Sequence, residues 1–475
     1  MRRVVVLALA LIPAALGAQG ARDSQPCEIV VRGVVRGGDS TRMTTVTTAS
    51  GARQTFVGGG VDATCAGRGN RLLADSAEHY ADRGLLILFH NVRYTEEGMR
   101  LTADRMTYNT VEERLLAEGN VRALSASGTR FNGPRVEYFP DKPGVRPVSR
   151  WIATGRPFVR MSPTESGAPT VRPPSATGDS AQEMPAPPRG DSAAMAAARG
   201  DSVDMTANYI VSENDSLMWA SGDVVIERAD MLATADSAML DDGIEFARLM
   251  RNPVIVGRGE RHFTLDGDII DLWSKERKLE RVVAAGQGRV VSDSLVLTSD
   301  TIDMRLRDQR MERVFAWGAR SRADAPAQRI DADSLDILMP GQRLREVHAI
   351  GDARATSRAD SATVLTDEPD WIRGDTIIAL FDTVATADSA SQPKMREVLA
   401  EGGARSFYQL APSDGTRGVP DISYNRGRVI KVSFAEGEMT KVDVVERASG
   451  IFLEAAPTDT SRRTPPPPTG ARARP

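Results

Sequence analysis

Histidine is nearly missing from this sequence. The four present, His79, His90, His262 and His348, stand singly in or beside extended stretches. No HxH, HExxH or Cys/His spacing joins them, so no metal site is expected and each is read as a surface or satisfied structural residue. Cysteine is rarer still, with only Cys27 and Cys65. Two cysteines flanking one segment of an exported chain are expected to form a disulfide. It would contribute on the order of 3–4 kcal/mol by restricting the unfolded chain. Only six of the 60 basic residues are lysine, and the net charge is −4. No basic face therefore invites nucleic acid. The arginines form no cluster, and base composition accounts for their number better than a grip on phosphates. The glycine-rich nonapeptide of a Ca²⁺ roll is absent, so the recurrent aspartates described below are not read as a calcium ladder. Gly286-Gln287-Gly288 is not followed by a helical pattern and is no phosphate loop. Asp241-Asp242 lies at a predicted turn and is read as solvated. No nucleophile motif occurs, and neither an enzyme nor a cofactor is expected.

Long apolar runs are also lacking, apart from Val4–Leu16 behind Arg2-Arg3. That run is too short for a stable membrane anchor. With the small residues Gly17, Ala18, Gly20 and Ala21 after it, residues 1–20 read as a cleavable secretory signal. Cys27 follows Ser-Gln-Pro rather than a lipobox, so acylation is not expected. The mature chain is expected to be soluble and exported.

What the sequence has in abundance is a repeat. Leu101–Val121, LTADRMTYNTVEERLLAEGNV, holds two half-signatures. One is Ala103-Asp104 followed by Met106 and Tyr108; the other is Gly119-Asn120-Val121. The first recurs at Asp75, Asn208, Asp236, Asp268, Asp300, Asp333 and Asp375. Asp75 to Asp104 is 29 residues, Asn208 to Asp236 is 28, and the next three steps are 32, 32 and 33. The second follows each in turn, at Asn91-Val92, Gly222-Asp223-Val224, Asn252-Pro253-Val254, Gly288-Arg289-Val290, Gly318-Ala319, Gly351-Asp352-Ala353 and Gly402-Gly403-Ala404. A period near 30 residues marks a stacked, one-dimensional architecture.

Within each unit the apolar period is two, which is a strand with one buried face. The alternation slips at Asp104, because Ala103 and Met106 are three apart. A strand must bend or bulge there to keep its face, and an Asp carboxylate suits such a corner by bonding nearby backbone N–H groups. Ile87, Phe89 and Val92 show a similar slip at Asn91. The unit is therefore a bent β hairpin that places one strand in each of two facing sheets. Stacked units predict an all-β jellyroll or V-shaped trough, with a parallel β-helix as the alternative.

Taken in order, Cys27–Val35 reads as a first strand, Met43–Thr48 and Arg53–Val57 as a hairpin, and Gly58-Gly59-Gly60 as a turn. Repeats then fill a first module over 27–161. Residues 162–202 are rich in Pro, Ala, Ser and Gly and read as a disordered insertion. A second module spans 203–456, with a loop inserted at Asp382–Pro393, and 457–475 is a disordered Pro-rich tail. The inner face is assigned to Phe89, Tyr94, Met106, Tyr108, Val121, Tyr138, Leu240, Leu272, Met304 and Ile337. These residues either pack the sheets together or line an apolar groove.

The text "A-D-x-φ-x-φ … G-N-V" resembles the OstA-like family of lipopolysaccharide-export proteins, LptA, LptC and the periplasmic domain of LptD. Ala103–Val121 carries the likeness closely; LLADSAEHY, MLATADSAML and LVLTSDTIDM carry it more loosely. The resemblance implies a β-jellyroll whose groove receives the acyl chains of lipid A, in the periplasm. It also implies edge-strand stacking with itself or with other jellyroll subunits of that kind, forming a bridge toward an outer-membrane translocon. No run of amphipathic membrane strands is expected here, so the resemblance points to a bridge subunit. The rival expectation is a structural or adhesive β-solenoid with a sealed core.

Overall fold

The computed structural model describes residues 29–455 apart from 34–40, 66–68, 143, 162–201, 259–261, 293–294, 360–362, 383–393, 413–416 and 436–437. The predicted secretory signal, Cys27, nearly all of the predicted insertion, most of the predicted 382–393 loop and the Pro-rich tail lie outside the described residues. Among the described residues there are thirty strands, two single-turn 3₁₀ segments and no α-helix. The chain forms two compact units, one of residues up to Thr154 together with Glu213–Asp215, the other of Gly155–Ser212 and the residues from Ser216 on. Phe158–Met161, assigned from sequence to the first module, pairs with Val203–Thr206 of the second unit.

Among the described residues the strand ladders with a defined register are antiparallel, and successive long strands are joined by hairpin turns. A parallel β-helix is thereby excluded, since its rungs pair in parallel. The architecture is an all-β, jellyroll-like stack. Most long strands are bent in the middle, so that their two halves belong to two different arms. In Leu85–Glu96, for example, Leu85–Phe89 pairs with Arg105–Asn109, whereas Val92–Glu96 pairs with Met99–Ala103. The chain runs out along one arm, rounds a corner, continues along the other, and returns through a hairpin. Each 30-residue unit therefore contributes two strands to each arm, and not the one expected from sequence, because both limbs of its hairpin are bent.

The corner is a β-bulge with two residues opposite one. His90 and Asn91 are the unpaired residues on one strand and Asp104 is the unpaired residue on the next. The pair is left-handed at most of these corners: Gly119 and Asn120 have φ of 75° and 46°, Gly286 and Gln287 of 75° and 53°, Gly351 and Asp352 of 84° and 42°, whereas at Gly318-Ala319 only the glycine is left-handed, at φ 117°. Gly and Asn tolerate that region best. Asp104 fits over this pair. Its backbone counterpart Asp268 donates its N–H to the Gly286 carbonyl at 2.9 Å, and Asn120 Nδ2 donates to Asp104 Oδ2 at 2.7 Å. The same bond joins Asn91 to Asp75 at 2.6 Å and Asn252 to Asp236 at 3.1 Å. Only at Asp300, among these bonds, does a backbone N–H donate to the carboxylate, from Ala319 at 2.7 Å. The expected role of Asp was right in place and incomplete in partner.

Two sequence readings change accordingly. Gly58-Gly59-Gly60 is not a turn but the corner of one long strand, Arg53–Cys65, with Gly59 and Gly60 at φ 83° and 111°. In the unit around Asp268 the corner is Gly286-Gln287, and Gly288 already pairs with Ser299 on the second arm.

Outward faces are polar and interlocked. Arg248–Asp271, Arg281–Asp303 and Arg313–Asp336 are bidentate pairs between strands of the second unit. Arg281 also stacks 4.9 Å from the Trp273 ring centroid, and Arg313 stacks 4.2 Å from that of Phe315. Much of the arginine on these faces is thus engaged by neighbouring acids and rings.

Candidate functional site

The inward faces of the two arms meet, and nine of the ten predicted inner-face residues lie there. Tyr94, Met106, Tyr108, Val121 and Tyr138 are buried in the first unit; Leu240, Leu272, Met304 and Ile337 are buried in the second. Phe89 does not join them. It lies on the outer face, half-buried beneath the Arg105 guanidinium, 5.5 Å from its ring centroid. The inner positions of that strand are Leu86, Leu88 and Val92. The Asp strand carries one extra residue at its corner, but this strand carries two. Its inner residues are therefore four apart across the bend, and a three-residue slip picks the wrong face. The predicted disulfide is outside the described residues, since Cys27 is; the backbone of Cys65 pairs with Ile29.

Away from the corners the arms end in open lips, and the two units close them differently. In the first unit, rings fill the mouth. Tyr138 and Trp151 have centroids 4.5 Å apart, Phe131 stacks on Trp151 at 5.4 Å, and Tyr94 is 6.5 Å from Tyr138. Two carboxylates, Glu96 and Asp215, are set among these residues. Glu96 accepts from the Tyr94 hydroxyl at 2.9 Å and the Tyr138 hydroxyl at 3.4 Å. Burial, and then the Glu96 charge, push both phenols well above their usual range. Asp215 has a buried Oδ1 without a hydrogen-bond partner, and burial raises its carboxyl above the usual aspartate value, against smaller favourable effects of Ser125, Trp151 and the Ser127 backbone.

The second unit leaves space at its mouth. A groove of about 700 Å³, counting the solvent at its opening, lies between the lips. Its floor is apolar: Met231 and Ala233 come from one arm, Leu240, Leu249 and Leu272 from the other. Its rim is charged, with Arg228 on one lip and Asp241, Asp242, Glu245 and Arg277 on the other. Asp241 and Asp242, read from sequence as a solvated turn, are thus part of the groove. Glu276-Arg277 is a two-residue turn with both residues left-handed, φ 50° and 62°. Such a turn favours Gly or Asn, so this dipeptide gave no signal of its place. The Glu245 carboxylate fixes it by accepting from the backbone N–H groups of Glu276 and Arg277 at 3.0 and 2.8 Å.

An apolar floor with a charged rim suits an amphiphile, since it buries a chain and leaves polar groups at water. The rim acids are spent on turns and arginines. No group of three or more His, Cys, Asp or Glu among the described residues is arranged to hold a metal ion. No helix among them is long and apolar enough to cross a membrane. Four strands have one free edge each among the described residues. Ile29–Gly33 and Arg42–Thr47 both pair only with Arg53–Cys65, exposing Val30, Met43 and Val46. Glu438–Val445 pairs only with Val429–Ala435, and Ser449–Leu453 only with Asp421–Arg426, exposing Val445, Ile451, Phe452 and Leu453.

No family model matches this chain, and no curated protein matches it.

Proposed function

We propose that this chain is a non-enzymatic carrier that shields the acyl chains of lipopolysaccharide between its two β arms on the way to the outer membrane. The observation that carries the reading is the groove between the lips of the second unit. Its floor, which includes the predicted residues Leu240 and Leu272, continues the inward apolar face on which Met304 and Ile337 lie. Each CH₂ buried there stabilises the complex by about 0.8 kcal/mol, so a few chains suffice for tight binding without chemistry. Export to the periplasm follows from the sequence reading of residues 1–20. The exposed apolar edge strands of each unit support partnership with further jellyroll subunits or with copies of itself, by strand addition, leading to an outer-membrane translocon.

One observation favours the sealed solenoid in the first unit, where the rings of Tyr94, Tyr138, Trp151 and Phe131 plug the mouth. The carrier reading then places loading in the second unit. Native mass spectrometry of the protein purified from a Gram-negative envelope tests both parts together. Lipopolysaccharide adducts on the monomer, and adducts retained on end-to-end oligomers, are expected. A lipid-free mass under conditions that preserve other lipid complexes would leave the sealed solenoid as the reading.

A further inference from the structure

Across the groove of the second unit runs one side chain. Arg228 stands in the turn between Leu217–Glu227 and Met231–Asp241, on one lip, and its Nη2 donates to the Arg277 backbone carbonyl on the other lip at 2.9 Å. The two residues are 49 apart in sequence. The guanidinium is also held from its own lip, by Asp230 at 3.1 and 3.3 Å. Its side chain is only 14% exposed and lies over the apolar floor of Met231, Leu240 and Leu249. A charge held so far out of water is unfavourable unless its partners compensate, and all those partners sit at the rim.

The two sides of this contact are not equally fixed. The Arg277 turn is pinned by Glu245 through two backbone N–H groups, and its guanidinium donates to Asp242 at 3.3 Å. Arg228 has a long flexible stem and one bond to the opposite lip. A single hydrogen bond of this kind breaks in thermal motion. Freed from Arg277, the guanidinium can swing outward with Asp230 and gain water.

We propose that Arg228 is a latch over the groove, and that an acyl chain enters or leaves only when the bond from Arg228 to the Arg277 carbonyl is broken. This rests on the carrier reading and assigns the residue that regulates its site. The latch sets rates more than affinity, because it covers the chain without forming part of the floor.

The test is stopped-flow uptake and release of N-phenylnaphthylamine, an uncharged probe that fluoresces in apolar surroundings, by the full-length mature protein. An uncharged probe keeps the acidic rim from entering the comparison. Arg228→Ala is expected to speed both uptake and release about tenfold, equivalent to about 1.4 kcal/mol of barrier, with the equilibrium affinity changed less than about threefold. Arg228→Met keeps the apolar stem and loses the donor; it should behave alike, and it decides the matter if Arg228→Ala does not unfold cooperatively. Arg258→Ala removes an ion pair with Glu227 near the same lip that does not cross the groove, and should keep wild-type rates. Uptake by the wild type with unchanged rates in both Arg228 variants would overturn the latch and leave the groove standing. Slower uptake in variants of unchanged stability would also overturn it, by making Arg228 part of the binding surface. No uptake by any of the proteins would overturn the groove reading itself.

Discussion

Asp215 shows how a single carboxylate makes the first unit sensitive to pH. Its Oδ1 is buried without a hydrogen-bond partner, and burial raises its carboxyl above the ordinary aspartate range. The folded state therefore binds this proton more tightly than the unfolded chain. The stabilisation is fully present below the unfolded value and is lost as pH rises through the raised folded value. Asp215→Asn keeps an acceptor oxygen and cannot ionise. Urea midpoints measured from pH 3 to pH 8 should fall for the wild type, relative to the variant, as pH rises through that window. Parallel curves would show that the charge on Asp215 is not buried in the folded protein. Nothing in the sequence around Asn214-Asp215 marks this role. The aspartate reaches this position only because the fold returns residues 213–215 to strands some 60 or more residues earlier, as the ion pair of Arg150 with Glu213 also shows.

At the scale of the element, the corner is the device that makes the fold. An Asp on one strand lies over a left-handed pair on the next, and each half accounts for the other. A Cβ added at Gly119 would stand 2.5 Å from Asp104 Oδ2 and 2.9 Å from its Cβ. The same collision awaits at Gly286 with Asp268, at Gly351 with Asp333 and at Gly402 with Asp375. Gly119→Ala should therefore destabilise the protein by about 2 kcal/mol, from the left-handed φ and the displaced Asp104 together. In a double-mutant cycle, Asp104→Ala should recover part of that loss, with a coupling of about 0.5–1 kcal/mol. Strictly additive effects in urea unfolding would sink the interlock. Much of this element was legible in sequence, since the Ala-Asp and Gly-Asn texts recur with the repeat. The count of inserted residues was not. One residue enters the Asp strand and two enter its partner, and the backbone φ values distinguish them; sequence alone therefore points Phe89 inward and reads Gly58–Gly60 as a turn.

For the whole molecule, the apolar inner face was legible wherever the period-two pattern reported burial, at Met106, Tyr108, Leu240, Leu272, Met304 and Ile337. Whether the face is filled or open depends on what stands at the lips, and the lips are made of turn residues. Their side chains follow no period, so neither the aromatic plug of the first unit nor the Arg228 rim of the second could be read beforehand. The proposed function requires the inward face to receive acyl chains. Site-specific photocrosslinking tests it most directly, with a photoreactive residue placed at Leu240, Leu272 or Met304 and, as an outward control on a bent strand, at Thr107. Lipopolysaccharide adducts are expected from the three inward positions and none from Thr107. Adducts from no inward position, in a folded protein exposed to lipopolysaccharide, would contradict that function.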